Sequence, residues 1–142
     1  MGDQRLSSME RLRHRHEFER VFQRGTKQVS PAFVWYLLPT PGPHSRLGLA
    51  VSKRVGKAVV RNRVKRYTRE FFRRHKMQFD PPCDIVVVAR RQAADLPYAE
   101  SVQQFTLLLR RYLRQQRPQR RDKPLPPAAP SPAMVRIVPE SP

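Results

Sequence analysis

Residues 56–76 read GKAVVRNRVKRYTREFFRRHK, and the rest of the chain must be arranged around this stretch. Apolar or weakly polar side chains recur three and four residues apart, the spacing of one stripe on an α-helix: Val60, Val64, Tyr67, Thr68 and Phe71. This stripe predicts a helix that packs on a core. At about 100° per residue, the opposite side collects cations and one amide: Arg61, Asn62, Lys65, Arg66, Arg69, Arg73 and Lys76.

The charge pattern of this helix is unusual for a solvated face. Exposed faces normally mix both signs, because like charges four residues apart destabilise a helix by about 0.2–0.5 kcal/mol. Here Arg61, Lys65 and Arg69 repel one another in series, and Glu70 is the one acid near the margin. An ordinary solvated face is the alternative, but the repulsion favours a polyanion as the counter-charge.

Composition points to the same kind of partner. The 142 residues suffice for one domain with a modest core, and the formal net charge of +18 exceeds what solubility requires. Membrane lipid is the weaker choice of polyanion, because no apolar run approaches the roughly 20 residues that span a bilayer. The N-terminus, MGDQRLSS, lacks the apolar core of a signal peptide, and Cys83 is the single cysteine. We therefore expect a cytoplasmic protein that binds nucleic acid and no membrane.

Two further helices are predicted on either side of the basic one. Residues 15–24 place Phe18, Val21 and Phe22 on one side, followed by Gly25 as a stop. The two phenylalanines either anchor this short helix to a core or form a partly exposed stacking surface. An amphipathic pattern also runs from residue 98 to about residue 114.

Three segments have the composition of strands. Residues 26–38 predict one strand that places Phe33, Trp35 and Leu37 on one face and Val34, Tyr36 and Leu38 on the other. Residues 84–89, DIVVVA, predict a central strand covered on both sides. Residues 46–53 direct small side chains outward, which leaves room for a ligand or a packed helix to approach the sheet: Gly48, Ala50 and Ser52.

Composition also sets the domain boundaries. Eight of the 15 prolines lie between residues 118 and 142, where no periodic pattern persists. We predict a flexible basic N-terminus over residues 1–12, one domain over residues 13–116, and a disordered Pro-rich tail over residues 117–142.

One string within this order of elements is specific. Residues 61–66, RNRVKR, follow SKRVG at residues 52–56 and Ala58-Val59. This resembles the protein subunit family of bacterial ribonuclease P, whose signature is an RNR-containing helix. Phe18-x-x-Val21-Phe22-x-x-Gly25 resembles the family's first helix, Phe33-x-x-Tyr36 its first strand, and Asp84-Ile85-Val86 the strand after the basic helix. The likeness covers about residues 11–114.

The resemblance implies a fold that spacing alone does not indicate. It is an α/β (α+β) two-layer sandwich similar to domain 2 of ribosomal protein S5, in the order helix, strand, strand or strands, helix, strand, helix. The basic helix makes a left-handed βαβ crossover, against the usual right-handed rule.

The resemblance also implies a function and a set of residues. The holoenzyme is an endoribonuclease that removes the 5′ leader of precursor tRNA, with the chemistry carried out by a catalytic RNA that binds most of the Mg²⁺. The protein would act as a monomer in one complex, binding that RNA and the leader. The RNA-contacting signature matches Lys53, Arg61, Asn62, Arg63, Lys65, Arg66 and Arg69, to which the charge pattern adds Arg54, Lys57 and Arg73. The leader-binding cleft matches Phe18, Phe22, Phe33 and Tyr36, to which the small outward row adds Ala50 and Ser52.

The residue types allow two other readings and disfavour a protein catalyst. A ribosomal or other structural RNA-binding protein would be equally basic but would not need an aromatic-lined groove. A DNA-binding protein with its helix in the major groove would favour dimer-forming heptads, which the sequence lacks.

The acids are scattered, and Glu17 and Glu19 would point to different sides of a helix. We therefore predict no catalytic or metal-binding residue in the protein itself. The sequence leaves open whether Trp35 or Tyr36 faces the cleft.

Overall fold

Four strands form one mixed sheet, with α-helices on both faces. The computed structural model describes residues 8–121, with side chains described within residues 9–116. The strands are β1 (Thr26–Val29), β2 (Phe33–Pro39), β3 (Arg46–Ala50) and β4 (Cys83–Ala89), in the spatial order β1-β2-β4-β3. β2 is antiparallel to both β1 and β4, whereas β3 and β4 are parallel.

The parallel pair needs a crossover connection, and the predicted basic helix provides it. This helix is α2 (Ala58–His75), preceded in the chain by α1 (Arg15–Arg24) and followed by α3 (Tyr98–Arg121). Short 3₁₀ helices occupy Ser8–Glu10, Lys76–Gln78 and Arg91–Asp95. Both α1 and α2 lie where hydrophobic periodicity predicts them. No helix within residues 8–121 is both long enough and apolar enough to cross a bilayer.

The main core lies between the sheet and the α2/α3 layer. Strand alternation directs Phe33, Trp35 and Leu37 into this core, where each is at most 3 % exposed. The Trp35 ring lies 6.2 Å from Phe71 of α2 and 6.0 Å from Phe105 of α3, measured between ring centroids. Burial of each such side chain stabilises the fold by about 1.5–3 kcal/mol.

A smaller core lies on the other face of the sheet, beneath α1. It contains Leu12, Val21 and Val86, with Phe18 and Tyr36 packed against it. The two faces of β2 are therefore covered by different helices, and Trp35 and Tyr36 point to opposite sides of the sheet.

The predicted single strand over residues 26–38 is instead a hairpin of β1 and β2. Ser30 and Pro31 are turn-forming residues that interrupt it. The Ser30 N–H donates to the carbonyl of Phe33 at 2.8 Å. Gln104 of α3 accepts from the Ser30 hydroxyl at 2.7 Å and from the Ala32 N–H at 2.9 Å, which holds the turn against α3.

Secondary structure extends further toward both chain ends than the sequence patterns indicate. Residues 8–12 are ordered, since Arg11 bridges to Leu47 of β3 and the Leu12 N–H donates to the Leu47 carbonyl at 3.0 Å. At the other end, α3 continues to Arg121, beyond the predicted end near residue 114. The rest of the predicted N-terminus and tail, residues 1–7 and 122–142, lies outside the described residues.

Candidate nucleic-acid interface

The turn that joins β3 to α2 begins a cationic surface. The Val55 N–H donates to the Ser52 carbonyl at 3.0 Å, and the Gly56 N–H donates to the Lys53 carbonyl at 3.1 Å. Gly56 has a φ of 154°, which residues with a Cβ rarely adopt. Because Val55 is buried beneath it, the turn presents three exposed cations: Lys53, Arg54 and Lys57.

The start of α2 has no negative charge to complement the helix dipole. Lys57 is the N-cap residue, and the first turn contains no Asp or Glu. Because the amino end of a helix carries a partial positive charge, a cation near it costs about 0.3–1 kcal/mol at low ionic strength. A bound phosphate would remove this cost, since helix amino ends bind anions.

The RNR tripeptide combines structural bonds with exposed polar groups. Arg61 donates from Nε to the Gly56 carbonyl at 3.1 Å, which closes the turn onto the helix. Arg63 donates from Nη2 to the Ala94 carbonyl at 2.7 Å, which ties α2 to the 3₁₀ helix after β4. Asn62 between them is exposed. The two arginines therefore leave the helix in different directions and are only partly available to a partner.

The middle of α2 gathers arginines without acids. Burial lowers the pKa of Arg69, and the charges of Arg11 and Arg66 lower it further. Arg11 belongs to the ordered N-terminal segment, and its buried Nε has no hydrogen-bond partner among the described residues. The charges of Arg11 and Arg66 thus act against the charged form of Arg69, which favours an external anion at this place. Lys65 and Arg66 extend this patch along the helix.

The end of α2 is neutralised within the protein. Glu70 pairs with Arg73 at 3.4 Å and with Arg74 at 2.8 Å, and Lys76 pairs with Glu10. Lys76 was expected on the cationic side, but it follows the last residue of α2 and faces this N-terminal acid. Among the residues whose side chains are described, the following cations form no ion pair with a carboxylate: Lys53, Arg54, Lys57, Arg61, Lys65, Arg66 and Arg69. These cations, with Asn62, Arg63 and Arg73, are called the basic surface below.

A buried ion-pair network fixes α1 on the sheet. Asp84 of β4 is fully buried and accepts from Arg46 of β3 through two bonds, Nε to Oδ1 at 2.9 Å and Nη2 to Oδ2 at 2.7 Å. Arg20 of α1 adds a contact to Oδ2 at 3.3 Å. Arg46 also donates from Nη1 to Glu17 of α1 at 3.1 Å. The network therefore links two strands to the first two turns of the helix that carries Phe18 and Phe22.

Glu17 also caps the helix that it anchors. Its Oε1 accepts the backbone N–H groups of Arg13 and His14 at 3.0 and 3.1 Å. Burial alone would raise the pKa of Glu17, but these two bonds and the charge of Arg46 together lower it below its usual value. Because the folded-state pKa is lowered, this stabilisation is present above about pH 4.5 and is lost as the pH falls through the folded-state pKa.

An apolar strip on the α1 face of the sheet is left uncovered. Strand register places Val29, Val34, Val88 and Ala50 in one row across all four strands. Val29 is 43 % exposed, and the other three are half-buried. The next row, which contains Tyr36 and Gly48, is covered by α1. We call the first row the open strip.

Glycine at position 48 allows α1 to lie close to the sheet. A Cβ at this position would lie 2.7 Å from Cζ of Phe18. The small outward row therefore has two uses, because Gly48 receives the helix whereas Ala50 remains at the open strip. The interpretation of a packed helix is confirmed at Gly48, and room for a ligand at Ala50 stays a prediction.

Aromatic rings border the open strip. Phe22 is 36 % exposed and packs edge-on against Tyr36, with ring centroids 4.9 Å apart. Lys27 lies over the Tyr36 ring, with Nζ 5.9 Å from its centroid. Arg90, just beyond β4, donates to the Ser30 carbonyl at 3.4 Å and places a charge at the end of the strip. A flexible polyanion would find ring faces and cations together here.

Phe33 is the cleft residue that the structure places elsewhere. It is 1 % exposed and packs against Phe105 of α3 at 4.5 Å, on the face of the sheet opposite to Tyr36. Strand positions whose residue numbers differ by an odd number lie on opposite faces, and Phe33 and Tyr36 differ by three, so they do not line one groove. Of the other predicted cleft residues, Ala50 belongs to the open strip, and Phe22 and Tyr36 border it. Phe18 packs against Gly48 beneath α1, and Ser52 is exposed in the turn after β3.

Two residues of the open strip, and one arginine beside the basic surface, were missed from the sequence. The sequence gives Val34 and Val88 no feature beyond that of ordinary strand residues, and only the strand register places them side by side. Val88 is half-exposed, so the expectation that its strand is covered on both sides is wrong at this residue. No local sequence pattern indicates that Arg11 lies near α2, because its position depends on a long-range pairing with β3. Within residues 8–121, no three side chains of His, Cys, Asp or Glu cluster as a metal site would require.

These features define a class: a small, strongly basic α+β protein whose cationic helix crosses between parallel strands. Comparison with known proteins makes the class specific. The family model described as Ribonuclease P matches residues 6–113. The ribonuclease P protein component of Geobacillus kaustophilus is 45 % identical over 102 residues, covering 71 % of this chain and 84 % of that protein. That of Desulfovibrio desulfuricans is 44 % identical over 108 residues, covering 73 % and 83 %.

Solved structures agree with the family match. The ribonuclease P protein of Staphylococcus aureus has a TM-score of 0.67 at 33 % identity, covering 71 % of this chain and 93 % of that one. The protein from Thermotoga maritima has a TM-score of 0.63 at 34 % identity, covering 71 % and 96 %. The chain belongs to the ribonuclease P protein family, and is thus a protein component of this tRNA-processing ribonuclease.

Proposed function

We propose that this chain binds the catalytic RNA of ribonuclease P through the basic surface and the 5′ leader of precursor tRNA along the open strip. The assembled cytoplasmic ribonucleoprotein, with one copy of the protein, then removes the leader by endonucleolytic cleavage. The observation that carries this proposal is the presence of two different surfaces. One is a row of cations of which, among the residues whose side chains are described, all but Arg73 and Arg63 form no ion pair or main-chain bond to another helix or strand, and the other offers apolar and aromatic groups beside a few cations.

Each surface suits a different form of RNA. Folded RNA is held mainly through phosphates and shape, which requires cations on a rigid support such as α2. A single strand exposes its bases, and each base stacked on an aromatic ring contributes about 1–3 kcal/mol. The Phe22–Tyr36 pair and the neighbouring open strip provide such a support, and Lys27 and Arg90 can neutralise the phosphates of the strand.

The chemistry is assigned to the RNA in this proposal. The described residues offer no carboxylate cluster that fits Mg²⁺, so the protein contributes binding and orientation while the RNA holds the metal. The protein lowers the charge repulsion between two polyanions, and this effect is largest when Mg²⁺ is scarce.

Reconstitution tests the proposal. Adding the purified chain to a bacterial ribonuclease P RNA at low Mg²⁺ is expected to restore leader cleavage, because the basic surface replaces part of the metal that screens phosphate charge. The measurement is the rate of 5′ leader release from a precursor tRNA, with and without the chain. A precursor whose leader is one nucleotide long serves as the control, since it cannot reach along the open strip. No gain with several bacterial RNAs would overturn the proposed function.

A further inference from the structure

An exposed tyrosine packs against a half-buried one beside the basic surface, on the face of the sheet opposite to the open strip. Tyr98 is the first residue of α3 and is 38 % exposed. Its ring packs against Tyr67 of α2, with centroids 5.1 Å apart and planes at 66°. Among the described residues, neither hydroxyl has a hydrogen-bond partner. Tyr98 is therefore not committed to the core of the protein.

Cations surround this pair. The Arg66 guanidinium lies over the Tyr67 ring, 5.5 Å from its centroid. Arg63 is four residues before Tyr67 and shares its side of α2, where its bond to the Ala94 carbonyl holds α2 against the segment that leads into α3. A partly exposed ring held against a second ring, with guanidinium groups beside the pair, provides what a stacked nucleobase with its phosphate requires.

We propose that Tyr98, supported by Tyr67, stacks on an unpaired base of the catalytic RNA. This inference rests on the proposed function, because it deepens the contact between the basic surface and that RNA. It adds a contact to a base where the arginines supply contacts to phosphates. The precursor tRNA is excluded as the occupant in this proposal, because its leader is assigned to the opposite face of the sheet.

Binding of the catalytic RNA alone tests the inference. Tyr98→Ala is expected to weaken binding of a bacterial ribonuclease P RNA about tenfold, whereas Tyr98→Phe keeps the ring and retains most of the affinity. Leu107→Ala is the matched control, because Leu107 is also exposed on α3, at 42 %, but lies nine residues on and thus on the opposite side of the helix. Binding is measured at one fixed salt concentration.

A tryptophan at the same position gives a readout that a purely structural role would not move. The native Trp35 is 3 % exposed, so the emission of a Tyr98→Trp variant can be resolved by its accessibility to acrylamide. Stacking predicts that the RNA quenches the emission of this surface tryptophan and protects it from acrylamide. This readout also covers the case in which Tyr98→Ala fails to fold.

The outcomes separate this inference from the function on which it rests. If the wild-type chain binds the RNA and Tyr98→Ala binds it equally well, or if the tryptophan emission is unchanged, the inference is wrong and the proposed function stands. If Tyr98→Ala weakens binding of precursor tRNA but not of the catalytic RNA, the assigned partner is wrong. Failure of the wild-type chain to bind the RNA would overturn both proposals.

Discussion

Replacing Asp84 with alanine is expected to lower the free energy of unfolding by about 3 kcal/mol. Removing one member of a buried ion pair leaves its partner without compensation, and the Arg46 guanidinium would lose both bonds to Asp84. The loss should fall at the low end of the range for buried pairs, because Arg46 is 27 % exposed and keeps its contact with Glu17.

Chemical denaturation followed by Trp35 fluorescence measures this change. Glu19→Ala is the matched control, because Glu19 is an exposed acid of α1 and should change the stability by less than about 0.5 kcal/mol. The double variant Asp84→Leu with Arg46→Met removes both charges together and is expected to recover much of the loss. A loss below about 1 kcal/mol for Asp84→Ala would mean that the network does not hold α1 in place.

The second large effect concerns the basic surface. Replacing Lys65, Arg66 and Arg69 together with alanine is expected to weaken binding of the catalytic RNA by two to three orders of magnitude at about 0.1 M salt. Each phosphate contact contributes about 0.9 to the slope of log K against log salt. The slope of the triple variant should therefore be shallower by about 2 to 3, and its affinity should approach that of the wild type near 1 M salt.

A second variant that loses the same number of charges separates the effect of their position from the effect of net charge. Arg24, Arg110 and Arg114 are exposed on α1 and α3, and replacing these three with alanine removes the same number of charges. Titrations of both triple variants across a salt series give the two slopes. Equal slopes would mean that the whole positive field, and not the surface of α2, binds the RNA.

Local sequence patterns predicted the helices and strands, whereas the composition of the two surfaces depends on pairing between residues far apart in the sequence. The spacing of Val64, Thr68 and Phe71 predicted α2 because one buried stripe repeats at the period of a helix. The turn at Ser30 and Pro31 was missed, although both residues favour turns, because strand-favouring residues lie on both sides of it. The open strip depends on register between strands that lie far apart in the sequence, and no local pattern specifies register.

The two aromatic residues of β2 illustrate the limit most clearly. Alternation correctly placed Phe33 and Tyr36 on opposite faces, yet the family resemblance assigned both to one cleft. The structure gives Phe33 to the α2/α3 core and Tyr36 to the α1 face. It also shows that Tyr36 and not Trp35 lies beside the open strip, because Trp35 packs between α2 and α3.

The central claim is that one protein uses two separate surfaces for two forms of RNA, and a crossed measurement tests it most directly. Affinity for the catalytic RNA and affinity of the assembled holoenzyme for leader-bearing precursor tRNA are measured for Phe22→Ala and for Arg66→Ala. Phe22→Ala is expected to weaken leader binding about tenfold and to leave assembly unchanged. Arg66→Ala is expected to weaken assembly about eightfold at 0.1 M salt and to leave leader binding by the saturated holoenzyme unchanged. Equal losses in both assays from each variant would contradict the account.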